Sequence, residues 1–182
     1  FSETRQRIQP GERKILGQIP PDSVILAMGC GNGELLNALI QEGHTGWYVG
    51  LDSSPGLLQI ARQRVPTGCQ SPFVFLQADL ASPDWDVELI EKLSQYLPNF
   101  RFSGFDAILA FAVLHHLPGH ALQRQTLEKA YNLASTAGLF IHSEWQFLNS
   151  AKLRSRLQPW SQVDLDENLV DAGDYLLDWK HG

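Results

Sequence analysis

The chain has 182 residues, of which 43% are hydrophobic and 19% charged, and its formal net charge is −6. These values are typical of one globular domain over residues 1–182, exclude a disordered chain and argue against broad attraction to nucleic-acid phosphates. The longest apolar run is too short to cross a bilayer, the sequence begins with no secretion leader, and Cys30 and Cys69 form no disulfide framework or metal motif. We therefore expect a cytoplasmic domain with no membrane partner and no bound metal.

Residues 1–20 are predicted to form a short helical segment ahead of the core. Pro10-Gly11 is expected to break this helix early, and Pro20-Pro21-Asp22 to end it. Its apolar residues share one face, at Ile8, Ile15, Leu16 and Ile19.

A predicted strand over residues 24–28 runs into three glycines at alternate positions, Gly29, Gly31 and Gly33. A helix is predicted directly afterwards, because Leu35, Leu36, Leu39 and Ile40 recur at helical spacing. Glycine accepts a positive φ and leaves no Cβ between the backbone and a ligand, and the helix start offers unpaired N–H groups. This pattern predicts a turn that binds a polar or anionic group.

A second predicted strand, residues 47–51, ends at Asp52. In an open parallel sheet, an acidic residue at this place binds ribose hydroxyls. The glycine turn and the spaced acid together predict a nucleoside-binding site. A nicotinamide fingerprint is disfavoured, because its third glycine would have to stand at Glu34.

The next elements continue the alternation of strand and helix. Ser53-Ser54-Pro55 is typical of a helix start, with Leu58, Ala61 and Val65 on its apolar face. Residues 73–78 are predicted to form a third strand that runs into Asp79. Ser82-Pro83-Asp84 is expected to cap a fourth helix, whose inward residues are Val87, Ile90, Leu93 and Leu97.

A fourth strand is predicted over residues 105–111, a helix over 120–134 and a fifth strand over 139–145. The helix has its apolar stripe at Leu127, Ala130, Tyr131 and Ala134. Residues 146–182 change character and are expected to border the substrate side, with a sixth strand at 175–179 and the final strand truncated. Five alternations predict an α/β fold with a doubly wound, mainly parallel sheet.

The ordered motifs of this chain resemble those of class I S-adenosylmethionine-dependent methyltransferases. The resembling residues are the glycine loop at 29–33, Gly50-Leu51-Asp52, Ala78-Asp79-Leu80 and residues 105–117. The resemblance implies a Rossmann-like sheet, S-adenosylmethionine as cofactor and methyl transfer to an oxygen or nitrogen acceptor. The family often has an acid two places before the first glycine, where this chain has Ala27.

The same resemblance implies a role for each matching position. Gly29 and Gly31 would lie against the methionyl part of the cofactor, Asp52 would bind the ribose, and Asp79 and Leu80 would contact the adenine. Phe111 and Ala112 would line the methyl-donor region. The whole cofactor-binding set predicted in this way is Gly29, Cys30, Gly31, Asn32, Gly33, Asp52, Ser53, Asp79, Leu80, Phe111 and Ala112.

Residues 112–117, 144–146 and 173–179 resemble the methyltransferases that esterify a carboxymethyl group on the tRNA wobble uridine. This resemblance implies a tRNA acceptor whose carboxylate needs no general base, only in-line placement and a cation. The candidates for positioning the substrate are His115, His116, Arg124, Arg154 and Arg156, with Arg5 and Arg7 as further possibilities.

Two alternatives remain open: a methyltransferase of small metabolites, and a non-catalytic protein of the same fold that serves as a partner module. No partner subunit is identified from the sequence. A metal site at the histidines is disfavoured, because Pro118-Gly119 interrupts any helix that would align His116 with His120. We expect one histidine of the pair to pack and the other to line the pocket, and Asp106 to form hydrogen bonds near its strand start. Cys30 is expected to be a small loop residue rather than a nucleophile.

Overall fold

The computed structural model describes residues 8–96 and 102–178. Within these ranges, five parallel strands form one sheet in the order β3-β2-β1-β4-β5. The strands are β1 (Ile25–Met28), β2 (Tyr48–Asp52), β3 (Phe73–Gln77), β4 (Phe105–Phe111) and β5 (Ala134–Ser143). The predicted α/β fold with a doubly wound, mainly parallel sheet is confirmed.

Helices cover both faces of the sheet. Helices α1 (Pro10–Leu16), α2 (Glu34–Gln41) and α3 (Pro55–Arg64) pack on one face. Helices α4 (Trp85–Tyr96) and α5 (His120–Leu133) pack on the other. The chain therefore changes face after β3, which places the reversal of strand order between β1 and β4.

Strand β1, in the middle of the sheet, is buried on both of its faces. Ile25 and Ala27 point into the cluster under α1, α2 and α3, whereas Leu26 and Met28 point into the cluster under α4 and α5. All four side chains are buried, as expected for a parallel strand that is covered on both faces. A side chain that is charged at position 27 would lie inside this apolar layer.

Asp106 joins the starts of three strands, at the end of the sheet opposite the glycine loop. Its Oδ2 accepts a hydrogen bond from the backbone N–H of Val24 (2.8 Å), and its Oδ1 accepts one from the Ser135 hydroxyl (3.2 Å). The hydrogen-bonding role predicted for Asp106 matches this geometry, and the residue lies far from any ligand at the carboxyl ends of the strands.

The inward face predicted for α4 was partly wrong. Val87 is 55% exposed, and the buried residues are Trp85, Leu89 and Leu93. The bulky indole of Trp85 is buried at the start of the helix, and the buried positions then follow at intervals of four. Leu97, also predicted inward, lies outside the described residues.

The stripe predicted for α5 was also partly wrong, since Leu127 is 39% and Tyr131 80% exposed. The buried residues are Thr126, Ala130 and Leu133. Thr126 is buried although it is polar, because its hydroxyl donates to the carbonyl of Leu80 (3.4 Å). The sequence does not show that Thr126 has this partner. The predicted apolar face of α5 is therefore rotated relative to the face that is buried.

Three boundaries differ from the prediction. Pro10 begins α1 instead of breaking it. The backbone N–H groups of the first helical turn have no acceptor within the helix, so proline, which lacks an N–H, loses no hydrogen bond there. Strand β5 is longer at its start and ends at Ser143, although its regular pairing with β4 begins at Leu139, after a bulge. The predicted sixth strand is only Leu176–Leu177, which pairs antiparallel with Leu157–Gln158 in a separate two-stranded sheet, after a short helix α6 (Ala151–Arg154).

The packing around Gly50 gives a test of the central sheet. A Cβ on Gly50 would lie 2.8 Å from Cδ1 of Phe75 and 2.9 Å from Sγ of Cys30. Gly50→Ala is therefore expected to lower the free energy of unfolding by about 1–3 kcal/mol, measured by urea denaturation. The matched control is Gly11→Ala in α1, where a Cβ would meet no atom within 4 Å. Equal unfolding midpoints for the two variants would contradict this packing.

Cys30 is the subject of a second test. The thiol is buried among core residues, and this burial, with a smaller contribution from the Asp52 charge, raises the pKa of Cys30. Since a thiolate is the reactive species, an aromatic disulfide reagent at about pH 8 should label Cys69 first in the folded protein. Cys69→Ser should lose the fast phase and Cys30→Ser should keep it. Fast labelling of Cys30 before unfolding would show that the loop is open.

Candidate active site

A crevice of about 940 Å³ lies at the carboxyl ends of the parallel strands. Its walls come from the ends of β1, β2 and β4, from the residues after β3, and from the starts of α1, α2 and α3. This is the place where the strand order reverses between β1 and β4. In open α/β sheets, ligands bind at such a point.

The glycine loop forms the floor of the crevice. Gly29 and Gly31 have φ values of +63° and +55°, which other residues rarely adopt. A Cβ on Gly29 would lie 2.6 Å from Cγ2 of Val113, whereas a Cβ on Gly31 would meet no atom within 4 Å. The backbone at Gly31 is thus open to close approach by a ligand.

Gly33 has a different role from the two glycines before it. It does not line the crevice, and a Cβ there would lie 3.0 Å from Ala61 in α3. Its φ of +85° starts helix α2, so Gly33 lets the chain turn and lets α2 and α3 approach each other. The other members of the predicted cofactor set do line the crevice: Gly29, Cys30, Gly31, Asn32, Asp52, Ser53, Asp79, Leu80, Phe111 and Ala112.

Asp52 connects two of the walls. Its Oδ2 accepts a hydrogen bond from the backbone N–H of Gly31 (2.9 Å), and its Oδ1 accepts one from Ser54 (2.9 Å). Ser54 in turn caps α3, because its Oγ accepts the N–H of Leu57 (3.3 Å). A carboxylate has about four lone-pair sites, so both oxygens of Asp52 can also accept from hydroxyl groups in the crevice.

Asp79 follows β3 at the far side of Asp52. Its Oδ1 accepts the backbone N–H of Ala81 (2.9 Å), and the hydrogen bonds among the described residues leave its Oδ2 unused. Leu80 beside it is buried, and its carbonyl is held by Thr126. An acceptor oxygen and an apolar side chain therefore stand together at this end of the crevice.

The opposite end of the crevice is formed where β4 ends. Ala112 has a φ of +54°, a left-handed conformation that costs a non-glycine residue about 1–3 kcal/mol. Its N–H donates to the carbonyl of Ser143 (2.8 Å) and lies 3.2 Å from the Ser143 hydroxyl. This turn directs the chain into the short 3-10 helix Leu114–His116.

Glu144 holds this 3-10 helix onto the end of β5. Its Oε2 lies 2.8 Å from Nδ1 of His115 and accepts the His115 backbone N–H at 3.1 Å, and Trp145 stacks on the same ring with centroids 5.2 Å apart. His115 is thus fixed in place, whereas His116 and Trp145 line the crevice. The structure divides the two histidines as the sequence predicted, one packed and one facing the pocket.

The predicted arginines lie elsewhere. Arg124 is exposed on α5, Arg154 is exposed on α6, and Arg156 is partly buried beside the small two-stranded sheet. Arg5 and Arg7 lie outside the described residues. Within the described ranges, no lysine or arginine lines the crevice. A role for these arginines in positioning a substrate stays a prediction.

Sequence reasoning missed the contribution of the chain around the start of α1. Ile8, Gln9 and Glu12 line the crevice, as do Leu57 and Ile60 of α3. A sequence signal for Glu12 existed, since residues 9–12 form a capping box in which Glu12 Oε2 accepts the Gln9 N–H (3.1 Å). That signal predicts a helix start, but it does not predict that the carboxylate lines the crevice and contacts Ser143 at the end of β5.

Residues 8–96 and 102–178 contain no group of three or more histidine, cysteine or acidic side chains that could hold a metal ion. They also contain no helix with the length and apolar character needed to cross a membrane.

The known proteins that this chain resembles are methyltransferases. Residues 26–140 match the sequence model of a family described as "Methyltransferase domain". "Probable tRNA methyltransferase 9B" from Homo sapiens is 34% identical over 166 residues, covering 90% of this chain and 31% of the relative. "Trans-aconitate 2-methyltransferase" from Azoarcus sp. (strain BH72) is 27% identical over 207 residues, covering 100% of this chain and 76% of the relative.

A solved structure shares the fold. SAM-bound CalS10, an amino pentose methyltransferase from Micromonospora echinaspora, has a TM-score of 0.56 at 19% identity, over 81% of this chain and 56% of that one. The chain spans about a third of the length of the tRNA methyltransferase 9B relatives. The family match covers more than half of the 182 residues and includes the glycine loop and most of the sheet. This chain therefore belongs to the family of class I S-adenosylmethionine-dependent methyltransferase domains.

Proposed function

We propose that this chain is a catalytic domain that binds S-adenosylmethionine along the ends of β3, β2, β1 and β4 and methylates a carboxylate oxygen. The observation that supports this most is the placement of Asp52 and Asp79 at the ends of neighbouring strands, in one crevice with the open backbone of Gly31. In this arrangement Asp52 would accept from the ribose hydroxyls, and Asp79 Oδ2 would accept from the adenine amino group while Leu80 would pack on the ring. The volume of about 940 Å³ is within the usual range of cofactor pockets.

The bound cofactor supplies an electrophilic methyl group on a sulfonium. The work of the protein is then to exclude water and to hold the acceptor oxygen in line with that methyl. Val113 and Leu117 give the β4 end an apolar lining, and His116 with Trp145 offers a polar edge and a flat face to the acceptor. A carboxylate is ionised near neutrality, so no side chain has to remove a proton.

For the acceptor we propose the carboxymethyl group of a modified tRNA uridine. The name of the human relative supports a tRNA acceptor, and the aromatic residue Trp145 lines the crevice, as is typical of proteins that contact unpaired bases. Arg124, Arg154 and Arg156 would then contact phosphates outside the crevice. A small organic acid is the second candidate acceptor. It is supported by the similarity to trans-aconitate 2-methyltransferase, since the match covers 76% of that enzyme.

The cofactor assignment predicts the effect of two substitutions. Asp52→Ala removes the ribose acceptor and should weaken binding of S-adenosylhomocysteine by about 1.5–3 kcal/mol in calorimetric titration. Because Asp52 also holds two backbone N–H groups, Asp52→Asn should keep part of this bonding and lose less. Asp79→Ala should cost about 1.5 kcal/mol, the low end of that range, because Asp79 would accept one hydrogen bond from the adenine amino group whereas Asp52 would accept from two hydroxyls.

The matched control is Asp106→Ala. It also removes an aspartate that accepts a backbone N–H, but at the opposite end of the sheet. It should lower the unfolding midpoint and leave the dissociation constant unchanged. If Asp52→Ala and Asp79→Ala bind the ligand as tightly as the wild type does, the proposed cofactor arrangement is wrong.

The acceptor assignment predicts the chemistry of the product. With a labelled methyl donor, transfer to tRNA containing carboxymethyluridine should give a methyl ester, which mild alkali hydrolyses with release of labelled methanol. His116→Ala should reduce the rate, whereas His120→Ala, outside the crevice, should not. Transfer to trans-aconitate alone would favour the small-acid candidate. Cofactor binding with no transfer to either acceptor would favour a non-catalytic module.

A further inference from the structure

A third carboxylate faces the crevice, and none of the sequence motifs contains it. Glu12 lies in the first turn of α1, 17 positions before Gly29, and its side chain lines the crevice. Its Oε1 accepts a hydrogen bond from the Ser143 hydroxyl (3.0 Å), and its Oε2 accepts the Gln9 N–H (3.1 Å). The carboxylate is therefore fixed in position by both the helix and the main sheet.

Ser143 places this carboxylate at the β4 end of the crevice. The Ser143 hydroxyl lies 3.2 Å from the backbone N of Ala112, and Ala112 donates to the Ser143 carbonyl at 2.8 Å. Glu12 is thus one hydrogen-bonded residue away from Ala112. Because the strand order is β3-β2-β1-β4-β5, Asp79, Asp52 and Glu12 follow one another across the sheet.

The charges near Glu12 leave its carboxylate available for a cation. Glu34, also in the crevice wall, forms an ion pair with Arg64 (2.8 Å). Among the residues that the structure describes, Glu12 forms no ion pair. Ala27, where the family often has an acid, is fully buried in the apolar layer and brings no charge to the crevice.

We propose that Glu12 binds the α-ammonium group of S-adenosylmethionine. This inference rests on the proposed cofactor arrangement: if Asp79 and Asp52 hold the nucleoside, the residues left to hold its amino-acid group are those at the β4 end of the crevice, where Glu12 lies. A fixed carboxylate at that end pairs with a primary ammonium by a charge-assisted hydrogen bond.

The assignment makes α1 part of the binding site. Besides the Glu12 contact, α1 is held to the body by Leu16 in the core and by Arg13, whose guanidinium donates to Glu42 (3.2 Å) and Gln41 (3.0 Å) of the α2 region. A ligand that pairs with Glu12 adds a further contact between α1 and the sheet, so cofactor binding is linked to the docking of this helix.

The test compares two ligands that differ in the amino-acid group. S-adenosylhomocysteine contains the ammonium, and 5′-methylthioadenosine retains the adenine and ribose without it. Glu12→Gln should weaken binding of the first about tenfold in calorimetric titration and change binding of the second by less than about twofold. Glutamine preserves the capping box, so the variant keeps the start of α1.

Glu42→Gln is the matched control, since it makes the same chemical change outside the crevice, in an exposed ion pair with Arg13 of α1. Such exposed pairs contribute little, and glutamine can still accept a hydrogen bond from Arg13, so α1 stays docked. The Glu42→Gln variant should leave both affinities unchanged. If Glu12→Gln weakens both ligands equally, or neither, Glu12 only caps the helix and the assignment is overturned. If Asp52→Ala weakens both ligands while Glu12→Gln weakens neither, the cofactor arrangement stands and only the Glu12 assignment fails. A wild-type protein that binds neither ligand overturns both.

Discussion

The two hydrogen bonds of Asp52 hold the crevice together. One carboxylate accepts the N–H of Gly31 and that of Ser54, so it joins the glycine loop after β1 to the start of α3. Without it, one backbone donor in the glycine loop and one at the start of α3 would need other partners. The link ties Gly31, in the loop of positive-φ glycines, to Ser54, whose hydroxyl caps α3. The residue proposed to bind the ribose is therefore also the residue that shapes the site.

The charge of the crevice agrees with a cationic cofactor. Glu12, Asp52 and Asp79 line it from the β4 end to the β3 end, and within the described residues no lysine or arginine does. S-adenosylmethionine has a sulfonium and an ammonium, and carboxylates in a partly buried cleft attract such charges more strongly than they would in water. The bound cofactor would neutralise part of the negative charge of the crevice, so an anionic acceptor would meet less repulsion there. This order of binding fits methyl transfer to a carboxylate.

Much of the fold and one side of the site could be predicted from the sequence. The glycine loop, Asp52 and Asp79 are local signals, because each lies directly after an apolar strand, and the parallel sheet brings strand ends together. Glu12 and the Glu144–His115 pair could not be predicted, since they meet the site through contacts between residues 29 to 131 positions apart. The rotation of α4 and α5 was missed for a similar reason. Burial there follows Trp85 and the Thr126 hydrogen bond to Leu80, which are tertiary contacts and not a periodicity.

The central claim is that a sulfonium nucleoside lies across the strand ends, with its sugar at Asp52 and its base at Asp79. The most direct measurement is a crystal structure of the domain with S-adenosylhomocysteine. The account predicts ribose hydroxyls within hydrogen-bonding distance of the Asp52 carboxylate and the adenine amino group at Asp79 Oδ2, with the ring against Leu80. A nucleoside bound in another orientation or outside this crevice would contradict it.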